Sequence, residues 1–330
     1  MKRIFGLLLL TAILTSLCCL FGACQAAENQ EASAEDFEYQ ISPEKDRIII
    51  TKYVGTATRV VIPAKIEGLP VFTIKGYDSE EGKAVGAFQN SDVQSVVIPG
   101  TVRVIIDAFA DCKKLKEVKF SDGSMLTMIS GAFKNCTSLE KIDFSSTNIT
   151  EIEADSFDGC TALKEIIFTD SIKEIGKRAF RSCTSLEEIV LPKKLISLGE
   201  LAFEGCSSLK RITVPATLNM KSNGDTPVFR GLSSLEQIVF EEGRKELSSN
   251  AFAVIDTDAE IIIPKSVKSF SCSTIDFKRS ARLVFLGDCP EILDAKDGFD
   301  GEAPTVYYDP ATKGWEDCVW KENYTVIPKQ

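Results

Sequence analysis

Short alternations of apolar and polar residues recur along most of the chain. Each alternation is an apolar-x-apolar triplet, and successive triplets lie a mean of 23 residues apart between Val96 and Val326. Because alternation with a period of two is typical of a half-buried strand, each triplet predicts a short strand. The triplets are Val96/Ile98, Val118/Phe120, Ile142/Phe144, Ile166/Phe168, Ile189/Leu191, Ile212/Val214, Ile238/Phe240, Ile261/Ile263, Leu283/Phe285 and Val306/Tyr308, and Val326 extends the series.

A second motif precedes most of the triplets. A Phe, in most copies preceded by Ala or Ser, recurs every 21 to 26 residues, at Phe88, Phe109, Phe133, Phe157, Phe180, Phe203, Phe229 and Phe252. In five copies a Cys follows three residues later, at Cys112, Cys136, Cys160, Cys183 and Cys206. Leu115, Leu139, Leu163, Leu186, Leu209 and Leu235 occupy the next apolar position. The spacing predicts a helical turn that places Phe and Cys on one face.

Neither motif can bury its apolar side alone, so successive units must stack. Stacking buries the apolar positions of each unit against its neighbours and aligns the strands into one parallel sheet. The sequence therefore predicts an α/β repeat solenoid with a parallel β-sheet on one face and short helical turns and loops on the other. At about 4.8 Å per strand, ten steps give a body about 50 Å long.

The motif order resembles the BspA-like class of bacterial leucine-rich repeat over roughly residues 37–330. Cys112, Leu115, Val118 and Phe120 fall at its spacing, with Ala-Phe three residues upstream of the Cys. The resemblance implies a leucine-rich-repeat fold with a capping unit at 37–86, repeats at 87–290 and a capping unit at 291–330. It also implies a surface-exposed, non-enzymatic binding protein, since members are associated with adhesion to host matrix proteins or to other microbes.

The first 27 residues have the pattern of a secretory leader. Lys2 and Arg3 precede an apolar stretch that ends at Phe21, and small residues follow. A membrane-spanning helix is the weaker interpretation, because the stretch is near the lower length limit and lacks a basic flank after it. Phe21-Gly22-Ala23-Cys24 resembles a bacterial lipobox, which implies a signal peptide at 1–24, a lipid on Cys24 and a tether at 25–36. Ordinary cleavage near Ala26 or Ala27, followed by secretion, is the alternative.

Composition narrows the function further. With 44% hydrophobic residues the chain can build a large core, and its net charge of −10 argues against nucleic acid as a partner. It contains no histidine, which excludes Ser-His-Asp and Cys-His catalysis and His-ligated zinc. We therefore expect no enzymatic activity, no cofactor and no metal. An acidic glycan-processing site using Glu165 and Glu188 is the enzymatic alternative, but it requires a cleft that an open sheet does not provide.

Eleven cysteines in an exported chain would ordinarily indicate disulfides. Five of them share one repeat position, so we expect an inward-facing ladder of free thiols that act as small buried hydrophobes. A ladder spreads its sulfurs along a line, which disfavours a metal site. Cys272, Cys289 and Cys318 lie outside the repeat pattern, and either they are free or two of them form a disulfide near the C-terminal end.

The middle residue of each triplet should point out of the sheet. These residues, here called the outer row, are Val97, Lys119, Asp143, Ile167, Val190, Thr213, Val239, Ile262, Val284 and Tyr307, and from Ile167 onward they are almost all apolar. A flanking row two residues earlier, Ser95, Glu117, Lys141, Glu165, Glu188, Arg211, Gln237, Glu260, Arg282 and Thr305, is mostly polar.

Two interpretations of the outer row stay open. Branched side chains suit any pleated surface, whereas a long apolar strip flanked by charge also suits a docking surface. On the docking interpretation the partner-binding residues are Ile167, Val190, Thr213, Val239 and Ile262, flanked by Glu188 and Arg211.

These patterns together predict an exported, lipid-anchored monomer at the bacterial cell envelope or surface. It would bind a protein ligand, from host matrix or another microbial surface, and contact the membrane only through its anchor. The alternative is a non-adhesive envelope scaffold or spacer. Insertions at 76–84 and 219–226 should form surface loops, either for binding or as tolerated extra length.

Overall fold

A computed structural model describes residues 31–78, 84–218, 231–247, 252–255, 258–271, 275–277, 282–293, 305–318, 321 and 324–329. The predicted signal peptide, Cys24, Phe229, Cys272, the first half of the tether and the insertion at 219–226 lie outside these ranges. The insertion at 76–84 is described only at its two ends, where Tyr77–Asp78 pairs with Ala84–Val85.

The secondary structure is almost entirely short strands, preceded by a 3₁₀ turn at Ala34–Asp36. The strands of the first half are β1 Phe37–Ile41, β2 Ile48–Tyr53, β3 Arg59–Val61, β4 Lys65–Ile66, β5 Leu69–Lys75, β6 Tyr77–Asp78, β7 Ala84–Val85, β8 Ser95–Ile98, β9 Val104–Ile106, β10 Glu117–Phe120, β11 Met128–Ser130, β12 Lys141–Asp143, β13 Glu151–Ile152 and β14 Glu165–Ile167. Those of the second half are β15 Glu174–Ile175, β16 Glu188–Val190, β17 Ser197–Leu198, β18 Arg211–Val214, β19 Gln237–Phe240, β20 Glu246–Leu247, β21 Phe252–Ile255, β22 Glu260–Ile263, β23 Ser269–Phe270, β24 Ile275–Phe277, β25 Arg282–Phe285, β26 Glu291–Ile292, β27 Thr305–Tyr308 and β28 Thr325–Pro328.

The predicted triplets form parallel, in-register strands along one face, here called the triplet face. They make three sheets in series, with orders β3-β8-β10, β12-β14 and β16-β18-β19-β22-β25-β27-β28. Equivalent residues pair across every ladder, as Val96 with Val118 and Ile212 with Ile238. The prediction of a parallel solenoid of stacked coils is therefore confirmed.

A second ladder, which the sequence analysis did not predict, runs along the coils. Its strands are β1-β2-β5-β9-β11-β13-β15-β17, with β4 antiparallel to β5. Ile105, Ile129, Ile152 and Ile175 point from this ladder into the core and are essentially fully buried. Shorter sheets, β20-β23-β26 and β21-β24, follow in the second half. In each complete coil the core therefore lies between one strand of the triplet face and one strand of the second ladder.

Stacked phenylalanines run through the centre of the coils. Ring centroids lie 4.6 Å apart for Phe88 and Phe109 and 5.2 to 5.4 Å apart for each later pair up to Phe203. At the N-terminal end Tyr53 continues the stack, 4.9 Å from Phe88. Because aromatic pairs contribute energy beyond their buried area, this column ties each coil to the next.

The predicted helical turns are wrong: the Phe-to-Cys segments are hydrogen-bonded turns. Each places a left-handed residue directly before the Cys, namely Asp111, Asn135, Gly159, Ser182 and Gly205, and a second one before the small residue. A left-handed residue ends a helix after one turn. The backbone also bonds between coils, as when the Phe109 N–H donates to the Ala132 carbonyl at 2.9 Å, so no helical ladder propagates.

The five repeat cysteines form the expected buried ladder of free thiols. Each thiol donates to the Phe carbonyl of the preceding coil, over distances from 2.9 Å for Cys112 to Phe88 up to 3.3 Å for Cys183 to Phe157. Burial raises the pKa of Cys112 to about 11 and that of Cys160 to about 12. The thiolate forms are disfavoured, so these thiols are inert packing groups.

The two ends of the described solenoid are closed differently. At the N-terminal end β1 and β2 form an antiparallel pair, and Phe37 packs 5.6 Å from Tyr53. At the C-terminal end Trp315 is buried, stacks 5.1 Å from Tyr308 and donates from Nε1 to the Gly287 carbonyl at 3.2 Å. The boundaries of the capping units, 37–86 and 291–330, stay predictions.

Within the ranges described here, none of the helical segments has the length and apolar character needed to cross a bilayer.

Candidate partner-binding face

The outer row lies on the triplet face in the predicted register. Val190, Thr213, Val239 and Ile262 are direct partners on the consecutive strands β16, β18, β19 and β22 of one sheet. Here these four residues are called the apolar strip. Ile167 lies on β14, which contacts β16 without belonging to its sheet. The structure therefore brings four of the five predicted row residues into one hydrogen-bonded ladder and places the fifth beside it.

Exposure along the strip is uneven. Val190 is 62% exposed, the largest value among the exposed large hydrophobic residues of the described chain. Ile167, Thr213, Val239 and Ile262 are partly exposed.

The prediction that every outer-row residue points into solvent is wrong for Val284, which is only 1% exposed. Its partners on the two neighbouring strands are Ile262 and Tyr307, and both have larger side chains. The accessible part of the strip therefore ends at Ile262.

Charges beside the strip pair mainly with one another. Glu188 and Arg211 are both exposed and are direct register partners on β16 and β18. Directly before each of these strands, the Lys210 ammonium lies 2.9 Å from the Glu187 carboxylate. The neighbouring Gln237 side chain donates to Glu260 at 3.1 Å. The border of the strip is thus polar and close to neutral.

A charged depression that the sequence analysis missed lies between β10 and β12. It has a volume of about 480 Å³ and is lined by Lys116, Glu117, Val118, Lys119, Glu140, Lys141 and Asp143. The Lys119 ammonium bonds to Glu117 at 2.8 Å and lowers the pKa of that carboxyl. The sequence feature that could have indicated this depression is the pair of charged residues, Lys119 and Asp143, in the otherwise mostly apolar outer row.

The two carboxylates of the enzymatic alternative lie on this open face. Glu165 is on β14, where Lys141 binds it at 3.0 Å, and Glu188 is exposed on β16. A glycosidase needs one of its acids to have a raised pKa in an enclosed cleft, and an exposed, Lys-bound carboxylate lacks that environment. Across the described ranges, acidic and thiol side chains do not gather in groups of three or more that could hold a metal ion.

Comparison with known proteins gives one family match. The family model described as BspA type leucine rich repeat region matches the chain in six copies, over residues 84–177 and 150–282. These matches span more than half of the chain. No curated protein matches it.

Several solved structures are similar to the chain. A leucine-rich repeat protein of T. pallidum is 28% identical, with 64% of this chain and 86% of that chain covered, at a TM-score of 0.45. A leucine rich cell surface protein of Faecalibacterium prausnitzii is 24% identical, with 79% of each chain covered, at 0.45. A leucine-rich repeat protein of Bacteroides ovatus is 22% identical, with 84% and 71% covered, at 0.47.

Proposed function

The chain belongs to the BspA-type leucine-rich repeat family, and from that premise we propose that it is a non-enzymatic surface protein that binds a protein partner. The contact surface is the apolar strip, with Ile167 at its edge and Glu188 and Arg211 on its border. The observation that carries the proposal is Val190, a branched apolar side chain 62% exposed at the start of a continuous ladder.

The chemistry of the strip favours a protein over other macromolecules. Adjacent strands lie about 4.8 Å apart, so the four strip residues cover roughly 15 Å of nearly flat surface. Surfaces with an apolar centre and a polar rim are typical of protein interfaces. Nucleic acid requires a basic surface, and this chain carries a net charge of −10.

Binding through this strip should depend little on salt. Several charged side chains near the strip pair between neighbouring coils, as Lys210 does with Glu187 and Lys141 with Glu165. Exposed pairs of this kind contribute little energy and are screened by salt. The favourable free energy of binding would therefore come from burial of Val190 and its neighbours.

The experiment measures capture of purified matrix proteins and intact bacterial cells by immobilised wild-type protein and by two variants. Val190→Lys places a charge on the most exposed residue of the proposed contact, and Ile196→Lys is the matched control. Ile196 is also a branched apolar residue, 47% exposed, but it precedes β17 on the other ladder. We expect Val190→Lys to reduce affinity at least tenfold and Ile196→Lys to leave it unchanged.

Equal capture by Val190→Lys and wild type would refute binding through the strip. Absence of capture by the wild-type protein across the whole panel would favour the alternative of an envelope scaffold or spacer. Capture that falls steeply with salt would also contradict the proposed contact.

We further propose that the chain is exported and anchored by a lipid on Cys24. The support is the leader pattern and the lipobox-like Phe21-Gly22-Ala23-Cys24. The test expresses the chain in bacteria supplied with a labelled fatty acid. Label should enter the wild-type protein and be absent from Cys24→Ala; unlabelled protein released into the medium would instead support ordinary cleavage and secretion.

A further inference from the structure

Two segments of the C-terminal end are held side by side by hydrogen bonds. The Cys289 N–H donates to the Lys313 carbonyl at 2.9 Å, and the Lys313 N–H donates to the Asp288 carboxylate at 3.0 Å. The Trp315 indole donates to the Gly287 carbonyl at 3.2 Å. Residues 287–289 and 313–315 are therefore fixed against each other by the backbone and by a buried ring.

This arrangement brings Cys289 and Cys318 together. Both are free thiols in this structure, their side chains interact, and both are partly exposed and pack against the core. Burial, followed by the neighbouring Cys318, raises the pKa of Cys289 to about 12. The backbone approaches closely here, because a side chain on Gly314, whose φ is +84°, would contact the Cys289 Cβ at 3.3 Å.

The pair differs from the five cysteines of the ladder. Each ladder thiol is fully buried and donates to a Phe carbonyl, which leaves no route for an oxidant. Cys289 and Cys318 are both accessible to some degree, and each has the other as a sulfur neighbour. Thiol–disulfide exchange requires an accessible thiolate, and closing a bond between two cysteines also requires that their sulfurs lie close together.

We propose that Cys289 and Cys318 form a disulfide that locks the C-terminal end of the solenoid. Because the raised pKa of Cys289 disfavours its thiolate, Cys318 is the first nucleophile: its thiolate attacks a disulfide-containing oxidant and releases one of the oxidant's thiols. The second cysteine then attacks the mixed disulfide and releases the other thiol. The two cysteines lose two protons and two electrons, one S–S bond forms between them, and the oxidant is reduced to two thiols. The bond would fasten the segment carrying Trp315 to the last coil.

The test treats the purified full chain with oxidised glutathione, blocks remaining thiols with iodoacetamide and digests the protein without reduction. Mass spectrometry should show one peptide pair joined through Cys289 and Cys318, lighter than the two free peptides by two hydrogen atoms. Dithiothreitol should separate the pair. The oxidised chain should also unfold about 3–8 °C higher than the reduced chain, the range expected for closing a loop of this size.

Three serine variants check the pairing. Cys289→Ser and Cys318→Ser should each abolish both the linked peptide and the thermal shift, whereas Cys272→Ser should change neither. A linked peptide containing Cys272, or glutathione adducts on the wild-type chain without a linked peptide, would overturn the proposal. Because partner binding is not used in this assay, its outcome is independent of the proposal that the apolar strip binds a partner.

Discussion

Replacement of Phe157 tests whether the aromatic column holds the coils together. Phe157 is fully buried in the middle of the column, with ring centroids 5.4 Å from Phe133 and 5.2 Å from Phe180 and an edge contact to Phe144 at 6.2 Å. Truncating a buried Phe to Ala costs about 3–5 kcal/mol. Since the change also removes two stacked ring pairs, we expect a loss in the free energy of unfolding of about 4–5 kcal/mol.

The Phe157→Leu variant distinguishes the effect of losing the ring contacts from the effect of losing side-chain volume. Leu fills most of the space but loses the aromatic pairs, which contribute about 0.5–1.5 kcal/mol each. We therefore expect Phe157→Leu to lose about 2 kcal/mol, and Val190→Lys, on the surface, to lose less than about 0.5 kcal/mol.

The assay is a urea titration followed by circular dichroism, with all variants measured at one temperature. A solenoid transmits stability between nearest neighbours, so a central coil is the position where the loss should be largest. The reasoning would be refuted if Phe157→Ala lowered the free energy of unfolding by less than about 1 kcal/mol. It would also fail if the Leu and Ala variants were equally unstable.

Two further predictions concern the backbone and the thiols. Gly86→Ala should destabilise by about 1–3 kcal/mol, because its Cβ would clash with the Asp107 carbonyl oxygen, whereas Gly100→Ala, whose nearest atom is 3.5 Å away, should be nearly neutral in the same urea assay. Cys160 should resist iodoacetamide in the native chain and react only after unfolding, and native labelling would contradict its burial. Because burial raises the pKa of Cys160 from 9.0 to about 12, the unfolded thiol ionises first, so its contribution to stability is full below about pH 9 and is lost as pH rises toward 12.

Much of the triplet face could be predicted from the sequence because its signal is local and repeated. Alternation in each triplet fixes which residues face inward, and equal spacing fixes the register, as in the pairing of Ile212 with Ile238. The inward Phe and Cys positions followed from the same periodicity. Because the triplet recurs many times at one spacing, it predicts strands more reliably than a single short alternation would.

The turns and the second ladder could not be predicted in the same way. The spacing between Phe109 and Cys112 fits one turn of a helix as well as a tight turn, and the left-handed Asp111 distinguishes them. The later strands of the second ladder, β13, β15 and β17, have only two residues each, of which one is apolar, such as Ile152 or Ile175, so they are too short to show an alternation. Both features depend on hydrogen bonds between coils, which a single unit does not reveal.

The candidate site was predicted in outline but not in its limits. The row pattern identified Val190 and its neighbours, yet it also included Val284, which is buried between larger residues on adjacent strands. The division between β14 and β16, which separates Ile167 from the strip, has no counterpart in the triplet spacing. Exposure and sheet continuity depend on the three-dimensional arrangement of several coils.

Site-specific photo-crosslinking tests the proposed contact surface most directly. A benzophenone amino acid is placed at position 190 in one variant and at position 196 in another, and each is irradiated with a protein captured by the wild-type chain. We predict a covalent adduct from position 190 and none from position 196. An adduct from position 196 with none from position 190 would show that the partner binds away from the apolar strip, and it would contradict the proposed contact surface.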